Sequence, residues 1–249
     1  MGFHTSNALV LREVRYKEAD RILTLFTPED GIVTANARGA LRKSSRITAA
    51  TQQLTYSEMN FFENKGRLIV NEAVVKEPFD GLRANFENYA LGCYFAECTE
   101  AIVQEGSPEP AALQLILNSL YALSHELYPP EKIKAAFELR LMCITGYEPD
   151  LSACCICGRE KPSQPVIGTR TGHICCRECR NAEVGITNYL CDASLEAMRY
   201  IASAPPKQLF SFNAEEDAGK RLSDACENYF IEHAERRFST LDYWKKLKY

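Results

Sequence analysis

Two cysteine knuckles constrain this chain more than any other feature. The first reads Cys154-Cys155-Ile156-Cys157-Gly158 and the second Cys175-Cys176-Arg177-Glu178-Cys179. A CxxC turn brings two thiolates to one side of a tight hairpin, and two such turns supply the four soft ligands of a tetrahedral zinc site. Four thiolates leave no open coordination position, so the expected zinc is structural. A redox dithiol needs only one pair, which argues against that reading. A vicinal cysteine pair cannot easily direct both sulfurs at one metal. Each knuckle therefore contributes two cysteines at CxxC spacing, which selects Cys154, Cys157, Cys176 and Cys179 and sets Cys155 and Cys175 aside. Gly158 and Gly172 fit the sharp turns this requires. His173, beside the second knuckle, is an alternative ligand.

With 249 residues, 46% of them hydrophobic, the chain can bury a sizeable core as one large domain or two to three small ones. Its formal charge of -4 carries no nucleic-acid signal for the whole molecule, so any such signal must be local. Eleven cysteines, an odd number, without a basic and apolar leader after Met1-Gly2-Phe3, lead us to expect a reducing, cytoplasmic setting. The uncharged run Pro110 to His125 is shorter than the ~20 residues of a membrane span.

In chain order, residues 8–77 predict five strands: Ala8–Val14, Arg21–Thr27, Ile32–Arg38, Leu54–Phe62 and Leu68–Val75. Thr27-Pro28-Glu29-Asp30-Gly31 is a turn, with proline presetting φ and glycine taking the left-handed position. Val33, Ala35 and Ala37 share one face. The fourth strand changes phase near Ser57 and Glu58, which predicts a bulge or cover on both sides. Asn64-Lys65-Gly66 closes a hairpin. Five short strands in so few residues suit a small, partly open OB-fold barrel. The remainder reads as helix: 79–103, then a stripe from Leu113 to Leu127, then Ile133 to Ile144, a short helix from Asp192 or Ser194 to Ser203, and Ala214 to Arg236. The knuckle segment is inserted between helices. The fold class is thus α+β, with an OB-fold domain at 1–78, a helical domain at 79–149 and 185–249, and a metal module at 150–184.

Charge is unevenly spread. From Gly31 to Ser57 there is no Asp or Glu, while Arg38, Arg42, Lys43 and Arg46 are all present. A basic loop beside an open strand face of a small barrel is where a nucleic-acid backbone would run; the plainer reading is a solvated loop. Arg12, Arg15, Lys17 and Arg21 are interleaved with acids and count for less. Tyr16, Tyr56, Phe61 and Phe62 are candidates for stacking on bases or for the barrel core. From Glu77 to Glu109, seven acids stand against Arg83 alone, a face suited to a protein partner or to solvent. The tail carries Arg236, Arg237, Lys245, Lys246 and Lys248 with Tyr243, Trp244 and Tyr249, a second candidate site or an ordinary C-terminus. No glycine-rich phosphate loop, HExxH or zinc-deaminase pattern is present, and His4, His125, His173 and His233 form no nucleophile pairing by spacing. We expect no enzymatic activity.

Four runs carry a family resemblance. They are Tyr16-Lys17-Glu18-Ala19-Asp20-Arg21-Ile22 followed by Ala37-Arg38-Gly39-Ala40, then Phe137-Glu138-Leu139-Arg140-Leu141, then Gly146-Tyr147-Glu148-Pro149-Asp150-Leu151 leading into the first knuckle. In this order, over nearly the whole chain, they resemble the bacterial recombination-mediator family RecO. One departure is Gly172-His173, where the family often has Gly-Gly. Some members lack the cysteines, which implies that zinc there stabilises the fold. The resemblance implies an OB-fold, a helical domain and a zinc module. It also implies DNA repair and recombination in the RecF pathway, binding of single- and double-stranded DNA, and annealing of complementary strands. Its implied partners are RecR, the acidic tail of single-strand-binding protein and, indirectly, the recombinase RecA, in the nucleoid region of the cytoplasm. It carries Arg21, Arg38, Arg42 and Arg46 over as DNA contacts; Lys43 is added from charge. Two readings from other classes stand beside it: a zinc-stabilised protein scaffold without DNA binding, and a thiol-dependent enzyme.

Overall fold

A computed structural model of the chain describes residues 2–181 and 184–248. These form two compact units, Met1–His125 with Phe238–Tyr249, and Glu126–Arg237.

The first unit opens with five strands: β1 (Gly2–Tyr16), β2 (Asp20–Thr27), β3 (Gly31–Ala37), β4 (Tyr56–Asn64) and β5 (Arg67–Glu77). They close into a barrel in the order β1-β2-β3-β5-β4. Inward residues alternate along each strand, and Ala8, Val10, Leu23, Leu25, Ala35, Ala37, Met59 and Phe61 fill the interior. The barrel is closed rather than partly open, although its last seam is short: β3 and β5 pair only through Ala35–Leu68 and Asn36–Ile69, in parallel. The predicted turn before β3 is present, with Thr27 Oγ1 accepting the Asp30 N–H at 3.2 Å. Gly31 has φ of 63°, and a Cβ there would sit 2.0 Å from the Ser107 carbonyl oxygen, so no other residue fits this approach. The phase change expected in β4 has a different cause. Ser57, Met59 and Phe61 all face inward. Ser57 is a buried polar residue whose hydroxyl donates to the Ala50 carbonyl at 3.0 Å. The register shifts in the β4–β5 pairing leave the extra residues on β5.

Helices α1 (Asp80–Ala84), α2 (Phe86–Ile102) and α3 (Pro110–Ser124) follow. The single helix expected over 79–103 is broken at Asn85, which is extended and whose side chain accepts the Asn88 N–H at 3.1 Å. An Asn in that role starts a new helix rather than continuing the old one. The C-terminal tail, read from sequence as a basic and aromatic segment, folds as α7 (Ser239–Leu247). Its Leu241 and Trp244 are buried, and Thr240 Oγ1 donates to Glu97 of α2 at 2.5 Å. Trp244 is therefore core. Tyr249 lies outside the described residues.

The second unit contains α4 (Pro130–Ile144), β6 (Pro165–Gly168), β7 (Ile174–Cys176), β8 (Thr187–Tyr189), α5 (Asp192–Ser203) and α6 (Glu216–Ala234). The three strands form a sheet in the order β7-β6-β8. Between α4 and α6 a fully buried Lys134 ammonium lies 3.0 Å from Glu138 and 2.9 Å from Glu227. Compactness thus divides the helices differently from the expected helical domain of 79–149 and 185–249. Helices α1–α3 and α7 group with the barrel, whereas α4–α6 group with the knuckle segment. Among the described residues, no helix is long and apolar enough to cross a membrane.

Candidate metal centre and nucleic-acid interface

The first knuckle is a tight turn closed by its own backbone. Gly158 N–H donates to the Cys154 carbonyl at 2.8 Å, and Cys154 N–H to the Arg159 carbonyl at 2.9 Å. Gly158 takes φ of 72°, the conformation this turn demands and glycine supplies. The second knuckle starts on β7 and runs into a 3-10 turn, Arg177–Cys179. Together they bring the sulfurs of Cys154, Cys157, Cys176 and Cys179 within 4.8 Å of one another. Cys157 and Cys176 sulfurs are 3.9 Å apart, close to the ~3.8 Å edge of a tetrahedron with metal–sulfur bonds of about 2.3 Å. The four sulfurs chosen from spacing are the four brought together. Cys155 is exposed, and Cys175 is buried in β7 opposite Val166. His173 is exposed and outside the sulfur group.

Electrostatics favour the thiolate at Cys154. Burial disfavours the charged form of Cys154, but backbone N–H groups of Cys157, Cys176 and Ile156 outweigh it and hold the thiol down to about 6. The Cys157 and Cys176 N–H groups lie 3.5 and 3.4 Å from its sulfur, and Ser163 N–H lies 3.3 Å from Cys176. Cys179 is pushed the other way, to about 12, by burial and by the neighbouring Cys157 and Cys154 sulfurs. Four adjacent thiolates repel one another unless a cation sits among them. The donor set fits a structural metal ion and leaves it no free position. Arg199 of α5 fixes the segment from below, donating to the carbonyls of Leu151 (2.8 Å), Ser152 (3.0 Å) and Glu160 (2.8 Å). Its role was illegible in the sequence, because three backbone acceptors leave no residue pattern.

The acid-free loop between β3 and β4 is also irregular backbone held at many points. Gly39 N–H donates to Asp20 Oδ1 at 2.7 Å, and Leu41 N–H to the Ala19 carbonyl at 2.9 Å. Thr48 Oγ1 donates to the Ala40 carbonyl at 2.6 Å. Ala40 and Ile47 anchor the loop in the barrel core. From this platform Arg38, Arg42, Lys43 and Arg46 all project into solvent.

Arg21 does not join them. It is 7% exposed, and its Nη1 donates to the Thr48 carbonyl at 3.0 Å and to Thr51 Oγ1 at 2.9 Å. Its Nε lies 3.1 Å from Glu13 Oε2. Burial pushes the Glu13 carboxyl up even against the pull of Arg21. Arg21 therefore builds the loop from beneath instead of facing a ligand. Of the candidate aromatics, Phe61 is core, Phe62 packs on Phe3 with ring centroids 5.0 Å apart, and Tyr56 is partly buried. Tyr16 alone of the four stands clear, at 45% exposure.

A closed five-stranded barrel bearing a basic loop, joined in one chain to a helical unit with a four-cysteine cluster that fits a metal ion, defines the class of protein. Comparison with known proteins places it further. The family described as recombination protein O, N terminal, matches residues 1–79, and recombination protein O, C terminal, matches residues 83–242. The chain belongs to the RecO family. It is 32% identical to the DNA repair protein RecO of Acetivibrio thermocellus, over 99% of this chain and 98% of that protein. It is 27% identical to the protein of the same description from Symbiobacterium thermophilum, over 100% and 99%, and 26% identical to that of Alkaliphilus metalliredigens, over 97% and 98%.

Proposed function

We propose that this chain is a non-enzymatic DNA repair protein of the cytoplasm, a recombination mediator. In this reading it binds single- and double-stranded DNA and anneals complementary strands. With RecR, it helps load RecA onto DNA coated by single-strand-binding protein. The observation that carries the reading is the loop of Arg38, Arg42, Lys43 and Arg46: four exposed cations, no acid, and a backbone already ordered before any ligand arrives. Preordering matters because a fixed loop does not lose its own conformational freedom on binding. Phosphates running along it release counterions, so affinity should fall steeply with salt. The metal is zinc, held by Cys154, Cys157, Cys176 and Cys179. It supplies a fixed tetrahedral crosslink and no chemistry.

The test is DNA affinity across a salt series for wild type and for the variant with Arg38, Arg42, Lys43 and Arg46 all replaced by Ala. The variant is expected to bind at least about tenfold more weakly at low salt, with a log–log salt slope flatter by about 3. Its thermal stability should be unchanged, because none of the four side chains is buried. Unchanged affinity and slope would leave the second reading, a protein scaffold that contacts partners through the acidic stretch of α1 and α2.

A further inference from the structure

We infer that Tyr16 is a base-stacking residue which lets this barrel face discriminate unpaired from paired DNA. The inference rests on the DNA-binding reading of the basic loop and adds a residue that the loop's charge does not reveal. Three observations carry it. The first is exposure. Tyr16 ends β1 at the tip of the β1–β2 hairpin and is 45% exposed, with the Lys17 ammonium 5.2 Å from its ring centroid. A tyrosine whose ring is neither packed in a core nor stacked on another ring offers a flat apolar surface to solvent.

The second observation is register. Tyr16 pairs with Asp20, and the row before it runs Arg15–Arg21–Ala37 across β1, β2 and β3. Arg21 and Ala37 are buried, and strand side chains alternate between faces. Tyr16 and Asp20 therefore form the next row on the outer face of β1 and β2, and the exposed Arg38 directly follows Ala37 at the end of β3. With strands about 4.8 Å apart, the backbones of Tyr16 and Arg38 lie about 10 Å from one another.

The third is rigidity and charge. The hairpin tip is clipped to the basic loop by Ala19 O···Leu41 N (2.9 Å) and Asp20 Oδ1···Gly39 N (2.7 Å). That second contact also occupies the one carboxylate of the row. The Lys17 ammonium lies over the ring, Glu18 is the exposed acid of the tip, and the exposed Arg38, Arg42 and Lys43 sit on the clipped loop as cations that match a phosphate backbone. An unpaired base stacks on the Tyr16 ring while its phosphates lie on Arg38 and the loop. A base held in a duplex has both faces covered and cannot do so.

The experiment measures affinity for oligothymidylate and for a duplex of equal length. It compares wild type, Tyr16→Ala, Tyr16→Phe, and the Arg42→Ala/Lys43→Ala/Arg46→Ala variant. Tyr16→Ala is expected to lose about tenfold on the single strand. It should stay within about twofold on the duplex and keep the wild-type salt slope, because no phosphate contact is removed. Tyr16→Phe keeps the ring and is expected to bind like wild type. Equal losses on both DNAs, or none on the single strand, would overturn the inference while the loop variant still loses affinity for both. A loop variant that binds both DNAs normally would instead sink the DNA-binding reading beneath it.

Discussion

The cysteine knuckles and the basic loop solve one problem in two ways. Each is a stretch of irregular backbone that must hold a single shape. The knuckles use four side chains of one type converging on a point, with Cys154 Sγ accepting two backbone N–H groups. The loop uses dispersed polar contacts from Asp20, Arg21 and Thr48 to its backbone. The difference teaches what a staple looks like from outside. A metal staple advertises itself, because tetrahedral coordination demands identical ligands at short fixed spacing. A hydrogen-bonded staple does not, and its strongest member, Arg21, has the composition of a ligand contact while serving as a strut.

The largest effect that tests this contrast is on the knuckles. Cys154→Ser removes the thiolate at the centre of the sulfur group. It should abolish stoichiometric metal retention and cost on the order of 5 kcal/mol or more. That is a fall in Tm of roughly 10–20 °C by calorimetry. Full thermal stability together with lost DNA binding would mean that the knuckles touch DNA themselves.

Next comes Arg21→Ala. It leaves Glu13 without its cation and two acceptors beneath the loop unfilled. The expected cost is about 2–4 kcal/mol, under the fully buried range because the Glu13 side chain is 30% exposed. Arg21→Lys should recover little of this, since one ammonium cannot span Glu13, Thr48 and Thr51. Urea unfolding gives the stability and a salt series the contacts. A variant of wild-type stability whose salt slope drops by about one would make Arg21 a phosphate contact after all.

The smallest effect concerns what supports the knuckle unit. Asn228 of α6 bonds Asn188 of β8 at 2.7 Å, and one turn on His233 packs against Tyr229 with ring centroids 4.2 Å apart. Burial lowers the His233 pKa from 6.5. The unfolded chain therefore binds its proton first as pH falls. Stability is full above 6.5 and declines between 6.5 and the lower folded value. Replacing His233 with Phe should remove that slope from the stability–pH curve and leave the part due to thiolate protonation. Identical curves for both proteins would show that α6 bears no titrating strain.

Much of the fold was legible because its signals are local. Short apolar runs between turn signals located all five barrel strands, with clear alternation in the third, and proline and glycine located the turn before β3. The break at Asn85 was missed because Asn in a helical stripe is tolerated until its side chain finds the Asn88 N–H. Helix α7 was missed because its short length gave only Leu241, Tyr243, Trp244 and Leu247 as apolar signal, set among charges that read as a tail. Strands β6–β8 are three or four residues each, too short to show a period. Of the candidate site, the four thiolates and the four exposed loop cations were readable from spacing and charge. Tyr16 was indistinguishable from core aromatics until its exposure was known.

By itself, the sequence determined which four cysteines converge, the barrel strands and the longest acid-free segment, a basic one. Each is set by residue type at short separation, where chain geometry leaves few alternatives. The tertiary structure alone decided which cations face solvent. Arg21 and Arg38 are equivalent in composition, but Arg21 sits within β2 on the face turned inward to Thr48, whereas Arg38 follows the end of β3 and is exposed. The physical reason is that a strand's two faces differ by a single residue. Which face is buried depends on partners far away in the chain.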